Sequence, residues 1–507
     1  MLLLLGVCSA CSCAKDGPSA DSGKGGTPAV ALSVTPESLE FTSEEASADL
    51  AVKAGEKPKA ISNSSWCRAS VTPLKDNACT VTVSVEENSG AVSRTASVSI
   101  LSGSEKVLVS VTQAAPSSVV PEDFLEETVR GDNAAWKMAE RLGLGWNLGN
   151  QMDGYSNEVS NETVWGNKAA TQATFDGLKA KGFTSVRIPV TWMGHIGAAP
   201  SYTLEQAWLD RVAEIVGYAE KAGLNVILNV HHDGADSEHW FSIKKAAASE
   251  ADYEAITAQY SALWKQIAER FKDKGDFLIF EAFNEIHDGG WGWGDNREDG
   301  GKQYEIINKW AQVFVDAVRS AGGENTTRYL GIPGYCANPD LTMEYLSLPK
   351  DSATDRLLVA VHCYDPYDYT LECTYGEWGH TAKNNACPKT EKDIIPVLAR
   401  LKAAYIDKGI PVYMGETGCS NRDSARETLF QIYYLEFFYK ACRNYGIPPF
   451  YWDNGAEGSG RESGGIISHS TGEYIREGED IVKAMNRAVF TTSASYTLRS
   501  VYNSAPK

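Results

Sequence analysis

Between residues 143 and 453, eight short apolar runs alternate with stretches whose apolar residues return every three or four positions. The runs are GLGWNLGN (143–150), FTSVRIPVTW (183–192), NVILNVHHD (225–233), FLIFEAFNE (277–285), RYLGIPGY (328–335), LLVAVHCYDP (357–366), IPVYMGE (410–416) and IPPFYWDNG (447–455). A strand buried on both faces reads as continuous apolar sequence, and repeated strand-then-helix order requires a parallel sheet. The intervening helical patterns lie at 171–182, 204–223, 252–274, 302–323, weakly at 341–348, then at 391–409 and 424–446; several end in Gly, as helix C-termini do. The fold class expected is α/β, a (β/α)8 barrel spanning 127–490.

Upstream the texture changes. Residues 30–115 carry short alternating stretches such as LEFTS, ADLAVKA, CTVTVSVEEN and VLVSVTQAA, divided by turn residues. That pattern predicts a small antiparallel, immunoglobulin-like β-sandwich preceding the barrel. Residues 14–29 are rich in Gly, Ser, Pro and charge, a composition that predicts a flexible tether. A Pro- and Ser-containing linker occupies 116–126, with an amphipathic segment around 124–142 leading into the barrel. Residues 491–507 read as a Ser- and Thr-rich tail.

A chain of 507 residues accommodates a barrel of about 250 residues or more together with a further module. Its formal charge of −19 repels phosphate backbones, which argues against nucleic acid as a partner and leaves neutral ligands open. The start, MLLLLGVCSACSC, runs from apolar to small residues and resembles a bacterial lipoprotein signal, with Cys11 as the lipid-attachment residue and Cys13 as the other candidate. An ordinary cleaved signal peptide shares this pattern. Either way export is expected, to the cell surface or periplasm; on the lipoprotein reading the protein sits at the outer membrane and touches it only through the lipid anchor. Cys67 with Cys79 and Cys373 with Cys387 are the local disulfide candidates, and sequence does not choose among pairings.

The chemistry concentrates where apolar runs end. Asn-Glu and Gly-Glu pairs recur along the chain, yet only Asn284–Glu285 and Gly415–Glu416 close a buried-strand pattern, at the barrel mouth where active residues sit. Two carboxylates there suit glycoside hydrolysis, one protonating the leaving oxygen and the other attacking or activating water. Their roles need different pKa values: an ionised neighbour raises the donor's, while a cation such as Arg187 keeps the other charged. His231, His232 and Asp233, with His362, raise the alternative of a metal-dependent hydrolase. Adjacent strand residues point to opposite faces, so a hydrogen-bonding role is simpler, and no metal or organic cofactor is expected. The GGWGWG stretch at 289–294 lacks a phosphate loop's Lys and strand-turn-helix setting and reads as an aromatic loop beside the site. A non-catalytic glycan-binding barrel would lack one of the carboxylates.

Taken together, GWNLGN, SVRIPVTW, NVHHDG, FEAFNE, VHCYDPYD, GETG and YWDNG resemble glycoside hydrolase family 5 from about 140 to 490. The resemblance implies Glu285 as acid/base and Glu416 as nucleophile of a retaining enzyme, with Arg187 and Tyr364 supporting the nucleophile. It also implies Asn284 on the sugar 2-hydroxyl, Trp452 as a platform beneath the sugar, and His231 and His362 at the site. His232, Asn150 and Asp153 match positions that line the cleft in some members. GWNLGNQMDG and YDPYDYTL are similar to the endo-β-1,4-glucanase and xyloglucanase branch called subfamily 4. The implied substrate is a β-1,4-glucan (xyloglucan, cellulose-type or mixed-linkage), and mannanase or xylanase activity is the alternative on the same fold. Residues 63–66 (NSSW), Asn88, Arg94 and Val111–Gln113 resemble a BACON domain, here expected to act as a spacer. The protein is expected to be a monomer.

Overall fold

A computed structural model describes residues 30–88, 93–114, 129–289 and 300–507. Cys11 with the leader and tether, the linker at 116–126, and all of the GGWGWG stretch except Gly289 lie outside these residues. The chain divides into two compact units, one ending at Ala114 and the other running from Ala115 to Lys507.

The first unit is all β. Strands β1 (Ser33–Thr35), β3 (Ala46–Lys53), β6 (Ala78–Val85) and β5 (Cys67–Val71) make one four-stranded sheet. A second contains β2 (Ser38–Phe41), β8 (Glu105–Gln113), β7 (Arg94–Ser102) and β4 (Lys59–Ser62). Along β7 every second residue is buried, so Ala96, Val98 and Ile100 meet Leu50, Val52, Val81 and Val83 in one core. The pairing departs from the antiparallel expectation at one place. The chain crosses between sheets from β1 to β2, and β2 then runs parallel to the last strand, β8. Cys67 lies opposite Val85 and Cys79 opposite Val52, at opposite ends of β6. All eight cysteines of the described residues are free thiols, so neither local disulfide candidate forms.

The second unit is a closed barrel of eight parallel strands: β9 (Gly145–Leu148), β12 (Ser185–Ile188), β13 (Asn225–Leu228), β14 (Leu278–Glu281), β15 (Leu330–Pro333), β16 (Leu357–His362), β17 (Val412–Thr417) and β18 (Pro449–Asp453). A small hairpin, β10 (Tyr155–Ser156) with β11 (Val159–Ser160), stands between the first two. Each barrel strand coincides with one of the eight apolar runs, β17 passing the end of its run by the single residue Thr417, and nearly all strand residues are buried. Helices cover the outside. The helix Gln206–Ala222 buries Trp208, Val212, Ile215, Val216 and Ala219, three or four residues apart, and stops at Gly223 in the left-handed region.

Two C-terminal elements differ from expectation. Helix Gly478–Phe490 follows β18 and buries Ile481, Val482, Met485 and Ala488. Residues 491–507 are not a free tail, since helix Leu498–Asn503 places Leu498 and Val501, with Ala505 beyond it, in the barrel's core cluster. The reason is the helix Ala425–Tyr445, which buries residues around most of its circumference and needs cover on its outer side. Among the described residues no helix is long and apolar enough to cross a membrane.

Candidate active site

Every barrel strand runs in the same direction, so side chains at the strand exits converge on one mouth. Arg187 comes from β12 and is fully buried. All five of its N–H donors are used. Nη1 donates to Glu416 Oε1 at 2.7 Å and to Asn147 Oδ1 at 3.0 Å, Nη2 to Asn284 Oδ1 at 2.8 Å and Glu281 Oε1 at 2.7 Å, and Nε to Glu281 at 3.1 Å. Burial alone would push its pKa down; Glu281 first and then Glu416 reverse this and raise it.

Glu416 is the last residue but one of β17 and is 5% exposed, which leaves a small window to the cleft. Tyr364 donates its hydroxyl to Oε2 at 2.9 Å. A register shift between Val361 and His362 brings His362 opposite Glu416, and the Cys363 amide donates to the Glu416 carbonyl at 3.0 Å. Such a bulge re-aims side chains, and here His362 turns toward both carboxylates. Its Nδ1 lies 2.7 Å from Glu285 Oε1 and 3.7 Å from Glu416 Oε2. One oxygen of Glu285 and one of Glu416 fall within 4.8 Å of each other and of His362.

The electrostatics of Glu285 run opposite to the expectation for a proton donor. Burial raises its pKa, but the hydrogen bond and charge of His362 outweigh burial and bring it below its ordinary value. His362 is shifted the other way: burial lowers it, while Glu416 and then Glu285 carry it above its ordinary value. The two therefore hold one proton as a pair.

His231 and His232 also correct the strand-geometry argument. Strand β13 stops at Leu228, so both residues lie beyond it, and their rings meet edge-on with centroids 4.4 Å apart. Asp233 turns away and accepts from the Trp192 amide at 2.9 Å and the Trp240 indole at 2.6 Å. Two groups among the described residues gather metal-ligand atoms: Asp153 with His231 and His232, and Glu285 with His362 and Glu416. The first does not suit an ion. Asn229 accepts from the Val190 amide through Oδ1, so its Nδ2 faces Glu281 at 3.0 Å and His231 Nδ1 at 3.1 Å. His231 Nδ1 is thereby an acceptor, and the proton of this neutral ring sits on Nε2, 4.0 Å from Glu416 Oε1. Burial, then His232, holds its pKa well below the usual range. In the second group His362 Nδ1 is already engaged by Glu285, which fits proton chemistry.

Trp452, at the end of β18, lies parallel to His231 with centroids 5.7 Å apart and an interplanar angle of 5°. Gly149 makes room for it: a Cβ there would come within 2.9 Å of the Trp452 ring and 2.8 Å of the Asp453 carbonyl. Asp153 departs from its expected place as a sugar ligand. It is fully buried, and its carboxylate accepts from the backbone amides of Asn150 at 3.1 Å and Gln151 at 2.7 Å. It caps the turn that holds Asn150 in the left-handed region, φ 54°, and faces His232 Nε2 at 3.6 Å. Asn150 and His232 remain partly open at the cleft. The reading from sequence passed over Asn147, Asn229, Glu281 and Tyr413, all buried and all bonded into this network. Asn147, Asn229 and Glu281 had one signal in common, a strongly polar residue inside an otherwise apolar run.

A family model described as cellulase, glycosyl hydrolase family 5, matches residues 149–458, most of the barrel and more than half of the chain. The chain belongs to glycosyl hydrolase family 5. A viral BACON domain model matches residues 31–116. Among family 5 structures, a Bacteroidetes-affiliated cellulase linked with a polysaccharide utilization locus is 50% identical with a TM-score of 0.73, covering 74% of this chain and 98% of that one. A GH5-4 broad-specificity endoglucanase from Bacteroides salanitronis is 53% identical with a TM-score of 0.70, covering 73% and 99%. Among curated family 5 relatives, the xyloglucan-specific endo-beta-1,4-glucanase BoGH5A of Bacteroides ovatus is 31% identical over 411 residues, 77% of this chain and 79% of its own length.

Proposed function

We propose that the protein is a retaining endo-β-1,4-glucanase that cleaves plant cell-wall β-glucans, with Glu416 as nucleophile and Glu285 as acid/base. The observation that carries this reading is the approach of the two carboxylates to within 4.8 Å, one braced by Arg187 and Tyr364 and the other paired with His362. Retaining glycosidases keep their carboxyl groups about 5–5.5 Å apart, whereas inverting enzymes need a wider gap for water. The relatives' β-1,4-glucanase and xyloglucanase activities support the substrate class.

In the first step Glu416 attacks the anomeric carbon, the glycosidic C–O bond breaks, and the leaving oxygen takes the proton held between His362 and Glu285. In the second step Glu285 removes a proton from water, whose oxygen displaces the Glu416 ester. Arg187 fixes the Asn284 amide with its oxygen inward, so the NH2 group is the end presented to a sugar hydroxyl. Trp452, backed by His231, supplies a flat face for a sugar ring. The sandwich serves as a spacer in this reading, since its Trp66 has the Arg94 guanidinium over the ring at 4.2 Å.

The test is hydrolysis of xyloglucan, carboxymethylcellulose, mixed-linkage glucan and mannan, with the anomer formed first read by proton NMR. Internal cleavage of a β-1,4-glucan with the β-anomer appearing first is expected. An α-anomer first, or cleavage of mannan alone, would overturn the proposal.

A further inference from the structure

We infer that Glu281 is a positioning residue for the glycosylation step: one buried carboxylate that sets both of the donors facing Glu416 Oε1. This rests on the reading of Glu416 as nucleophile.

Glu281 closes β14 and is 1% exposed. Through Oε1 and Oε2 it accepts from Arg187 Nε and from Arg187 Nη2, which leaves Arg187 Nη1 aimed at Glu416 Oε1 at 2.7 Å. The same Oε1 accepts from Asn229 Nδ2 at 3.0 Å, and that amide's second hydrogen meets His231 Nδ1. His231 is thus held with its Nε2–H toward the same Glu416 oxygen, at 4.0 Å. Tyr413 donates to Oε2 at 2.6 Å, so each Glu281 oxygen is engaged from more than one side. A buried ion pair needs hydrogen bonds to its remaining lone pairs, and Asn229 supplies one, but stability does not require that this second arm carry on to His231. The second arm runs through a neutral amide to a neutral imidazole, and what it fixes is a tautomer and a direction.

Replacing Glu281 by Gln keeps the shape but offers one acceptor oxygen and an NH2 group where four donor atoms now point. An amide oxygen in the place of Oε1 still accepts from Arg187 and Asn229, but as a neutral acceptor, so both donors are held less firmly and Glu416 loses part of their alignment. Partners that orient metal ligands from behind matter about 10- to 100-fold in activity, and the same scale is expected for a partner that orients the donors to Glu416.

The experiment follows covalent labelling of Glu416 by a dinitrophenyl 2-deoxy-2-fluoro-cellobioside. The Glu416 oxygen forms a bond to the anomeric carbon, and dinitrophenolate leaves with the electron pair of the broken C–O bond. No proton is needed, so the rate reports on Glu416 and not on Glu285. Labelling of the full chain is expected to slow about 10- to 100-fold in Glu281→Gln, with the half-saturating concentration unchanged. Tyr413→Phe, which removes one bond to Glu281 and leaves the Arg187 ion pair, is expected to show a smaller slowing, measured on folded protein below its own melting transition. A purely structural Glu281 would lower the melting temperature and leave the labelling rate of folded protein as in wild type; that result overturns the inference. If Glu281→Gln does not fold, Tyr413→Phe decides alone, and wild-type labelling there overturns it. A wild type that takes label elsewhere than Glu416 instead overturns the nucleophile reading itself.

Discussion

A proton at the mouth of this barrel has two owners. Against the opposing effect of burial, Glu285 is shifted down by His362, and His362 is shifted up by Glu416 first and then Glu285, so the form that enters catalysis is the singly protonated pair. The basic limb of kcat/KM is accordingly expected above pH 6.5, the ordinary value that His362 exceeds. In His362→Gln the only proton left is that of Glu285 itself, a carboxylic acid in place of an imidazolium, and the limb retreats toward acid. An unmoved limb would show that the transferred proton is not drawn from the pair. Stability follows the same signs. The His362 contribution is complete below 6.5 and is lost as pH rises through its raised folded pKa. That of Glu285 is present above 4.5 and is lost as pH falls through its depressed one. Glu285→Ala should cut turnover of a β-glucan by about 10²- to 10⁴-fold, and far less on an aryl glycoside whose leaving group needs no proton. Glu416→Ala should abolish turnover of both, and measurable turnover of the aryl glycoside would remove it from the nucleophile's role. Glu285 and Glu416 were legible in the sequence because each ends an apolar run. Glu281, Asn229 and Asn147 were not, because a polar residue inside such a run has no partner visible until strands far apart in sequence close into a barrel.

Elements were legible in proportion to their periodicity. Strands of four to six residues appeared as apolar runs because parallel strands covered by helices are dry on both faces. The shift between β16 and β17 that turns His362 toward the carboxylates has no such signature, since a bulge changes register without changing which residues are apolar. The C-terminal helix escaped for another reason: with six residues it offers less than two turns of pattern, and its neighbours are Ser, Thr and Ala. Its anchoring is nonetheless firm. Leu498 is fully buried in the barrel core. Leu498→Ala should destabilise the barrel by about 2–5 kcal/mol, as large-to-small core changes do. Denaturant unfolding checks this, and a change within error would mean that residues 491–507 are the dispensable tail that their composition suggests.

At the scale of the whole chain, two cores share no residue: Leu50, Val81, Val98 and Val109 belong to one, and Trp146, Ile227, Phe280 and Phe450 to the other. A core closed on itself folds without its neighbour. The barrel unit also contains every residue of the carboxylate network, since Asn147, Arg187, Asn229, Glu281, Glu285, His362 and Glu416 all lie beyond Ala115. A chain starting at Ala115 is therefore expected to fold and to hydrolyse a soluble β-glucan with the kcat of the full chain. The comparison also tests the spacer reading of the sandwich. If residues 30–114 only hold the barrel at a distance, the shortened enzyme and the full chain should bind insoluble cellulose and xyloglucan-coated cellulose equally in a sedimentation assay. Equal kcat with weaker binding by the shortened form would make the sandwich a glycan-binding module, its sugar contact lying elsewhere than on the Arg94-covered face of Trp66. A lower kcat on soluble glucan would show that the sandwich supports the catalytic unit directly, which two separate cores do not lead one to expect.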